Sequence, residues 1–201
     1  MRGEQNWIRI AALCPVAFFS LLAGGCGERS PAPRSTEATP TATAQPAAQR
    51  LVEDACALLT SDEIASVQGE PAQKTRPQRK ELNGLAITQC FFALPAYERS
   101  ISLVVVQKAA AGSRRPLEPW KEMFGPEKIH ETESASGKKE MPPMRIADLG
   151  DEAFWVGNNT IGALYVLKGD SYITLSVGGP EDQKIKIEKT TTLARAILPR
   201  L

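Results

Sequence analysis

The stretch DEAFWVGNNTIGALYVLKGDSYITLSVGG, residues 151–179, gives the clearest indication of the fold class. Glycine, asparagine and aspartate at 157–159 and at 169–170 favour tight turns, so the stretch predicts three strands joined by two turns. In the last strand, apolar and more polar side chains alternate: Ile173, Leu175 and Val177 share one face, and Tyr172, Thr174 and Ser176 share the other. This alternation predicts an antiparallel meander with one face against helices and the other towards water.

Two more strands are predicted upstream of the meander. The segments ITQCFFAL, 87–94, and SISLVVVQ, 100–107, are rich in β-branched and aromatic residues. The residues between them, PAYER, have the length of a hairpin loop. We therefore expect both strands to belong to the same sheet.

Three helices are predicted around these strands. Thr60 and Glu63 form a capping box in TSDEIASVQG, which predicts a short helix that ends at Gly69. Apolar side chains at helical spacing indicate the other two helices: Leu117, Trp120 and Phe124 in 114–124, and Leu193, Ala194, Ile197 and Leu198 in 186–198.

The order helix, strands, helix, strands, helix predicts an α+β domain with a largely antiparallel sheet packed by helices. Residues 51–201 have the length of one such domain with one core. Between the second helix and the meander, GPEKIHETESASGKKEMPP, 125–143, is polar and without a period, which predicts an exposed loop.

An apolar segment near the N-terminus predicts a cleaved export signal. Arg2 and Arg9 supply positive charge around the start of the uncharged run Ile10–Leu22, which is shorter than the about 20 apolar residues that a membrane-spanning helix needs. The stretch LLAGGC that follows this run ends at Cys26 and resembles the lipobox of bacterial lipoprotein precursors. It departs from that pattern at Ala23, where the family usually carries leucine.

This resemblance implies a lipid anchor. Residues 1–25 would be removed, and Cys26 would carry a diacylglyceryl group and an acylated amino end of the palmitate kind, which together anchor a protein stably. The location implied is the cell membrane or the outer membrane, on the side facing the periplasm or the exterior. The alternative is an ordinary secretory signal in which Cys26 has no special role.

Residues 26–50 are predicted to be a disordered tether. After the cysteine, the chain is rich in proline, alanine and threonine and has no bulky apolar residues to build a core. A mobile coil of this length averages roughly 25 to 30 Å from end to end, so the domain would stand off the membrane. A spacer that contacts no partner explains the composition equally well.

The charge of the mature chain limits the partners that we expect. Residues 1–25 contain two of the 24 basic residues and one of the 23 acidic ones, so 22 of each remain. A neutral chain has no basic footprint for nucleic acid and no polybasic patch for anionic lipid. We therefore expect no nucleic acid partner.

The cysteines predict one disulfide. Of the four, Cys14 leaves with the signal and Cys26 is the lipid site, so Cys56 and Cys90 are an even pair in an oxidising compartment. A bridge between them would fix the first helix to the sheet. Two buried free thiols are the alternative.

Four sequence patterns in the domain resemble those of a wider group of proteins. These are ACALLTSDEIASVQG at 55–69, the second cysteine on the following strand, LGDEAFW at 149–155 and LARAIL at 193–198. In this respect the chain resembles a broad group of uncharacterised bacterial lipoproteins, best known in actinobacteria. The resemblance implies a PsbP-like α/β sandwich and a binding or accessory role in the cell envelope, and it brings no catalytic motif.

The residues with catalytic or metal-binding potential are few. His130 is the single histidine and has no neighbouring cysteine or histidine to complete a metal site. Three carboxylates could act in acid–base catalysis or bind calcium: Asp148, Asp151 and Glu152. Turn formation and strand entry explain these residues more simply. Nucleophile and phosphate-loop motifs are missing from the sequence. We expect no catalytic residue, no metal and no cofactor.

Three aromatic residues are the remaining candidates for a ligand site. Trp155, Tyr165 and Tyr172 lie on three consecutive predicted strands and would form a groove for an apolar or glycan-like ligand if they share a face. Packing in the core and on the sheet is the alternative. The function expected from the sequence is that of a non-enzymatic, lipid-anchored envelope protein that binds a protein, lipid or cell-wall partner. A structural or assembly accessory lipoprotein is the alternative, and an envelope hydrolase is favoured less.

Overall fold

The computed structural model describes residues 50–126 and 142–201. Its strands are β1 Lys74–Leu82, β2 Leu85–Ala93, β3 Ile101–Lys108, β4 Met144–Arg145, β5 Glu152–Gly157, β6 Gly162–Lys168 and β7 Ser171–Val177. They form one antiparallel sheet in the order β1-β2-β3-β7-β6-β5-β4. The helices are α1 Ser61–Gln68, α2 Leu117–Phe124 and α3 Gln183–Ile197, with short 3-10 helices at Ala55–Leu58, Tyr97–Arg99 and Leu198–Arg200. The predicted α+β class with an antiparallel sheet is confirmed.

The main core lies on one face of the sheet, here called the inner face. The apolar residues predicted to share a face of β7, Ile173, Leu175 and Val177, are all buried there. α1, α3 and the first 3-10 helix cover this face and contribute Ile64, Leu193 and Ile197, among others, to the same core. The opposite face is called the outer face below.

α1 begins at the predicted capping box. The Thr60 side chain accepts a hydrogen bond from the Glu63 amide, and the Glu63 carboxylate accepts one from the Thr60 amide. Gly69 ends the helix with a φ of 82°, a left-handed conformation that glycine adopts without strain.

The predicted disulfide between Cys56 and Cys90 is confirmed, with the two Cα atoms 5.0 Å apart. Cys56 lies in the 3-10 helix just before α1, and Cys90 lies in the middle of β2. The bridge therefore ties the start of the domain to the inner face.

β1 and β4 were not among the predicted strands. Every residue of β1 is exposed, so its sequence KTRPQRKEL lacks the alternation that a half-buried strand shows. A tight turn joins it to β2, with a φ of 51° at Asn83 and of 76° at Gly84. The predicted signal and the predicted tether as far as residue 49 lie outside the described residues, and so does most of the predicted loop at 125–143.

Candidate functional site

The three aromatic residues that would form a groove if they shared a face do not share one. Trp155 pairs with Leu164 of β6, and both are buried in the core of the inner face. Tyr165 is opposite Phe154, one residue away from Trp155, and therefore points to the outer face. Tyr172 lies on that face as well. The single groove of three aromatics is thus corrected, because strand alternation places the tryptophan on the other side from the tyrosines.

Both tyrosines are packing residues at the border of a second cluster. Trp120 and Phe124 of α2 pack on the outer face of β5 to β7. The ring of Phe124 stacks on that of Phe154, with the ring centroids 4.8 Å apart. Tyr165 and Tyr172 lie 5.2 Å from Phe124 and 5.8 Å from Trp120, respectively. Burial raises the pKa of the Tyr172 phenol above its ordinary value. This cluster fixes α2 to the sheet.

The outer face of β2, β3 and β7 carries a partly exposed surface, called the open face. The residues that form it are half-buried and lie in two rows across the strands: Phe91, Ser102 and Ser176, and Gln89, Val104 and Thr174. The described helices pack elsewhere, since α1 and α3 cover the inner face and α2 covers the neighbouring cluster. The open face mixes hydroxyl, amide and apolar groups and contains no acidic side chain.

A row of cations borders the open face on β1. Lys74, Arg76 and Lys80 alternate along this strand on the outer side, and all three are exposed. The Arg76 guanidinium carbon lies 6.0 Å from the centroid of the Phe91 ring, within range of a cation–π contact. In the described part of the chain, none of the three forms an ion pair, whereas Arg79 on the other side pairs with Glu53. The neutral net charge did not indicate this local excess of cations.

A cavity of about 440 Å³ lies at one end of the open face and is called the end pocket. Its walls come from strand ends, two turns and α3, and include Phe91, Tyr97, Ser100, Ser102, Thr160, Ile161, Ser176, Val177 and Lys186. The side chain of Lys186 is buried, with an exposed fraction of 2% for the residue. Its ammonium donates a hydrogen bond to the Thr160 carbonyl.

Lys186 is a candidate site residue that the sequence analysis did not single out. The signal was nonetheless present in α3. The predicted apolar stripe of Leu193, Ala194 and Ile197 extends back by helical spacing to Thr190 and Lys186, and both are buried. Extending the stripe would have placed a lysine on the inner side of the helix.

Two of the three candidate carboxylates, Asp151 and Glu152, have structural partners. Asp151 accepts a hydrogen bond of 2.6 Å from the Gly169 amide, and Glu152 accepts one of 2.8 Å from the indole of Trp120. Asp148 is exposed in a turn with a φ of 56°. Within 50–126 and 142–201, no group of three or more potential ligand side chains is arranged to hold a metal ion. Cys26 and His130 lie outside these ranges.

The carboxylates with lowered pKa values belong to ion pairs of the scaffold. Hydrogen bonds from Arg200 lower the pKa of Glu63 to about 2. Burial alone would raise the pKa of Glu181, but the hydrogen bond from Lys189 and the charge of Arg99 hold it below its ordinary value. Both groups stabilise the contacts of α1 and α3 rather than provide an acid or a base.

Comparison of the chain with family models, curated proteins and solved structures finds no match. The helices in the described ranges are all too short or too polar to cross a membrane.

Proposed function

We propose that this protein is a lipid-anchored cell-envelope protein whose α+β domain binds a partner through the open face, without catalysis. The signal that resembles a lipobox, Cys26 and the tether support the anchor. The observation that supports binding is the open face itself, a half-buried surface on central strands that the described helices leave uncovered.

The composition of the open face suits a binding surface better than an ordinary solvent-exposed one. Val104 and Phe91 supply apolar area, while Gln89 and Thr174 supply hydrogen-bonding groups between them. Interfaces that form and dissociate combine apolar and polar groups in this manner, and they are poor in charge at their centre. The centre of the open face accordingly lacks charged side chains, and charge lies at its border.

The border of the open face indicates the charge of the partner. Lys74, Arg76 and Lys80 form the row on β1, and the open face has no carboxylate to neutralise them. Opposite charges on the two sides of an interface guide association and set the orientation. The partner that suits this surface is therefore anionic where it contacts β1.

An assembly role through the free edge of β1 is the second candidate, because an exposed edge strand is a template for pairing with another chain. The sequence of β1 disfavours this role. Pro77 has no backbone N–H to donate, and charged side chains occupy most of the strand. A hydrolase is less well supported, since two of the three candidate carboxylates, Asp151 and Glu152, bind a turn amide and an indole.

A charge placed on the open face should weaken partner binding at least tenfold. We would compare the full-length lipidated protein with Thr174→Glu, in the middle of the open face, and with Thr192→Glu, on the exposed side of α3. Each protein would be cross-linked in its native envelope, purified and analysed for bound proteins, lipids and polymers by mass spectrometry. We expect an envelope component that wild type and Thr192→Glu retain and that Thr174→Glu loses at least tenfold.

The comparison depends on intact folding, which thermal unfolding by circular dichroism would verify for both variants. Equal retention by folded Thr174→Glu and Thr192→Glu would show that the open face is not the binding surface. Loss of binding at high salt would support the contribution of the cation row, because salt screens exposed charges.

A further inference from the structure

We propose that the end pocket binds a small amphipathic carboxylate, with the Lys186 ammonium as its counterion and the aromatic wall as the contact for its apolar part. This inference goes beyond the proposed function. It concerns a small molecule in a cavity and holds whether or not the open face binds an envelope partner.

Lys186 is a buried cation without an anion beside it among the described residues. The residue Lys186 is 2% exposed, and its Nζ donates to the Thr160 carbonyl. Among the residues that the structure describes, no carboxylate lies within ion-pair distance of this nitrogen; Glu181, on the preceding turn, pairs with Lys189 and Arg99. An ammonium has three N–H donors, and leaving a buried charge unpaired destabilises a fold. A ligand carboxylate would supply the missing charge and acceptors.

The orientation of α3 about its axis also indicates a ligand for Lys186. Ile185 is 40% exposed, whereas the adjacent Lys186 is buried. A helix that only closed a core would place the isoleucine inside and the lysine in water, because that arrangement buries apolar area and leaves the charge hydrated. The observed order instead leaves apolar area of Ile185 in water and buries Lys186 at the wall of the end pocket, which fits a site selected for binding rather than for stability.

The walls of the end pocket suit an apolar ligand body. The rings of Phe91 and Tyr97 lie with their centroids 5.6 Å apart on one side. Tyr97 is 63% exposed and Ile161 is 70% exposed, so both side chains have apolar area free to contact a ligand. Val177 adds a buried aliphatic surface to the wall. A cavity of about 440 Å³ is large enough for a short acyl or aryl group.

The charge balance of the end pocket favours a carboxylate over a phosphate. One buried ammonium, that of Lys186, matches one negative charge, and Glu98 on the wall would repel a second. Proteins bind phosphate preferentially with arginine forks or several donors, and the walls of this cavity contain no arginine. Ser100 accepts a hydrogen bond from the Leu94 amide through Oγ, so its own hydroxyl hydrogen remains available to a carboxylate oxygen.

The test uses octanoate as the probe. The full chain carrying Cys26→Ser would be titrated by calorimetry with octanoate, with its neutral amide octanamide and with inorganic phosphate. We expect octanoate to bind at least tenfold more tightly than octanamide, and phosphate to bind more weakly than octanoate.

Two variants on α3 locate the site. Lys186→Met keeps the length of the side chain and removes the charge, so it should lose at least tenfold in octanoate affinity while melting at or above the temperature of the parent protein. Lys184→Met, an exposed neighbour on the same helix, should leave octanoate affinity unchanged. Neither change touches Thr174, so loss of this site and loss of the open-face partner are separate results.

Three results would overturn the inference: no saturable octanoate binding, equal affinity for octanoate and octanamide, or unchanged octanoate affinity in folded Lys186→Met. Tighter binding of phosphate than of octanoate would overturn the assignment to a carboxylate. If Lys186→Met does not fold, the comparison of octanoate with octanamide on the parent protein decides by itself.

Discussion

At the residue scale, Glu63 connects the start of the domain to its end. Its carboxylate accepts a hydrogen bond from the Thr60 amide and two from the Arg200 guanidinium, at 2.9 and 2.6 Å. Arg200 also donates to the Leu58 carbonyl over 2.7 Å. One carboxylate thus completes the cap of α1 and holds the C-terminal 3-10 helix against it.

This contact predicts a specific loss of stability in acid. The pKa of Glu63 falls from 4.5 to about 2 on folding, so the ionised carboxylate stabilises the fold above about pH 5 and loses this contribution as the pH falls from 4.5 towards 2. Because Arg200 is 38% exposed, solvent screening limits the contribution to about 1 to 2 kcal/mol. Urea unfolding of wild type and Glu63→Gln should therefore differ by that amount near neutral pH and converge near pH 2.

Arg200→Gln provides the matching control, since it should remove most of the same pH-dependent difference from the other side of the ion pair. A loss in Glu63→Gln that stays constant down to pH 2 would contradict a role for the carboxylate charge.

Only half of this contact was predictable from the sequence. Thr60 and Glu63 are three residues apart, so local pattern shows the capping box. Arg200 is 137 residues from Glu63, and only the tertiary fold brings them together. The same distinction applies to Lys186, whose burial followed from helical spacing, while its position beside Thr160 required the packing of α3 against the sheet.

At the element scale, the disulfide links the first 3-10 helix to β2. Closing a loop of 34 residues should stabilise the fold by about 3 to 4 kcal/mol through the entropy of the unfolded chain. We expect the variant Cys56→Ala/Cys90→Ala to lose that amount in urea unfolding at neutral pH. Wild type under a strong reductant should show the same loss. Unchanged stability in both would indicate that the contacts of Ala55 and Leu58 hold this helix in place without the bridge.

The strands differ in how clearly their sequences predict them. β7 alternates cleanly because one of its faces lies in the core. β1 does not, because both of its faces are exposed, and the one local signal is the Asn83-Gly84 turn before β2, a pair typical of hairpins. Trp155 and Tyr165 illustrate a further limit, since a shift of one residue in strand phase moves a side chain to the opposite face.

At the scale of the whole molecule, the proposed anchor and the domain are expected to make separate contributions. The resemblance to a lipobox implies that the lipid on Cys26 holds the protein at a membrane. Cys26→Ser should therefore move the protein from the membrane fraction to the soluble fraction, as measured by fractionation and immunoblotting. Retention in the membrane fraction would instead indicate an uncleaved signal as the anchor. Cys14→Ser is the control and should leave the protein membrane-bound.

The class and the core of the domain followed from the sequence, whereas the surface sites did not. An element with one buried face has apolar residues at a regular spacing in its sequence. The meander, α1 and the apolar stripe of α3 were therefore predictable. The open face and the end pocket depend instead on which strands become neighbours, and the sequence does not show that β3 pairs with β7. The PsbP-like fold remains a prediction of the resemblance.

The position of β7 in the sheet also governs the order in which a newly made chain can fold. β3 is synthesised long before its neighbour β7, so its edge stays unpaired while α2, β4, β5 and β6 leave the ribosome. An apolar edge that waits for a distant partner invites association with other chains. Export in an unfolded state would postpone the same step until nearly the whole chain has crossed the membrane. A chaperone that shields β3 during this interval would act on the yield of folded protein without changing its final stability.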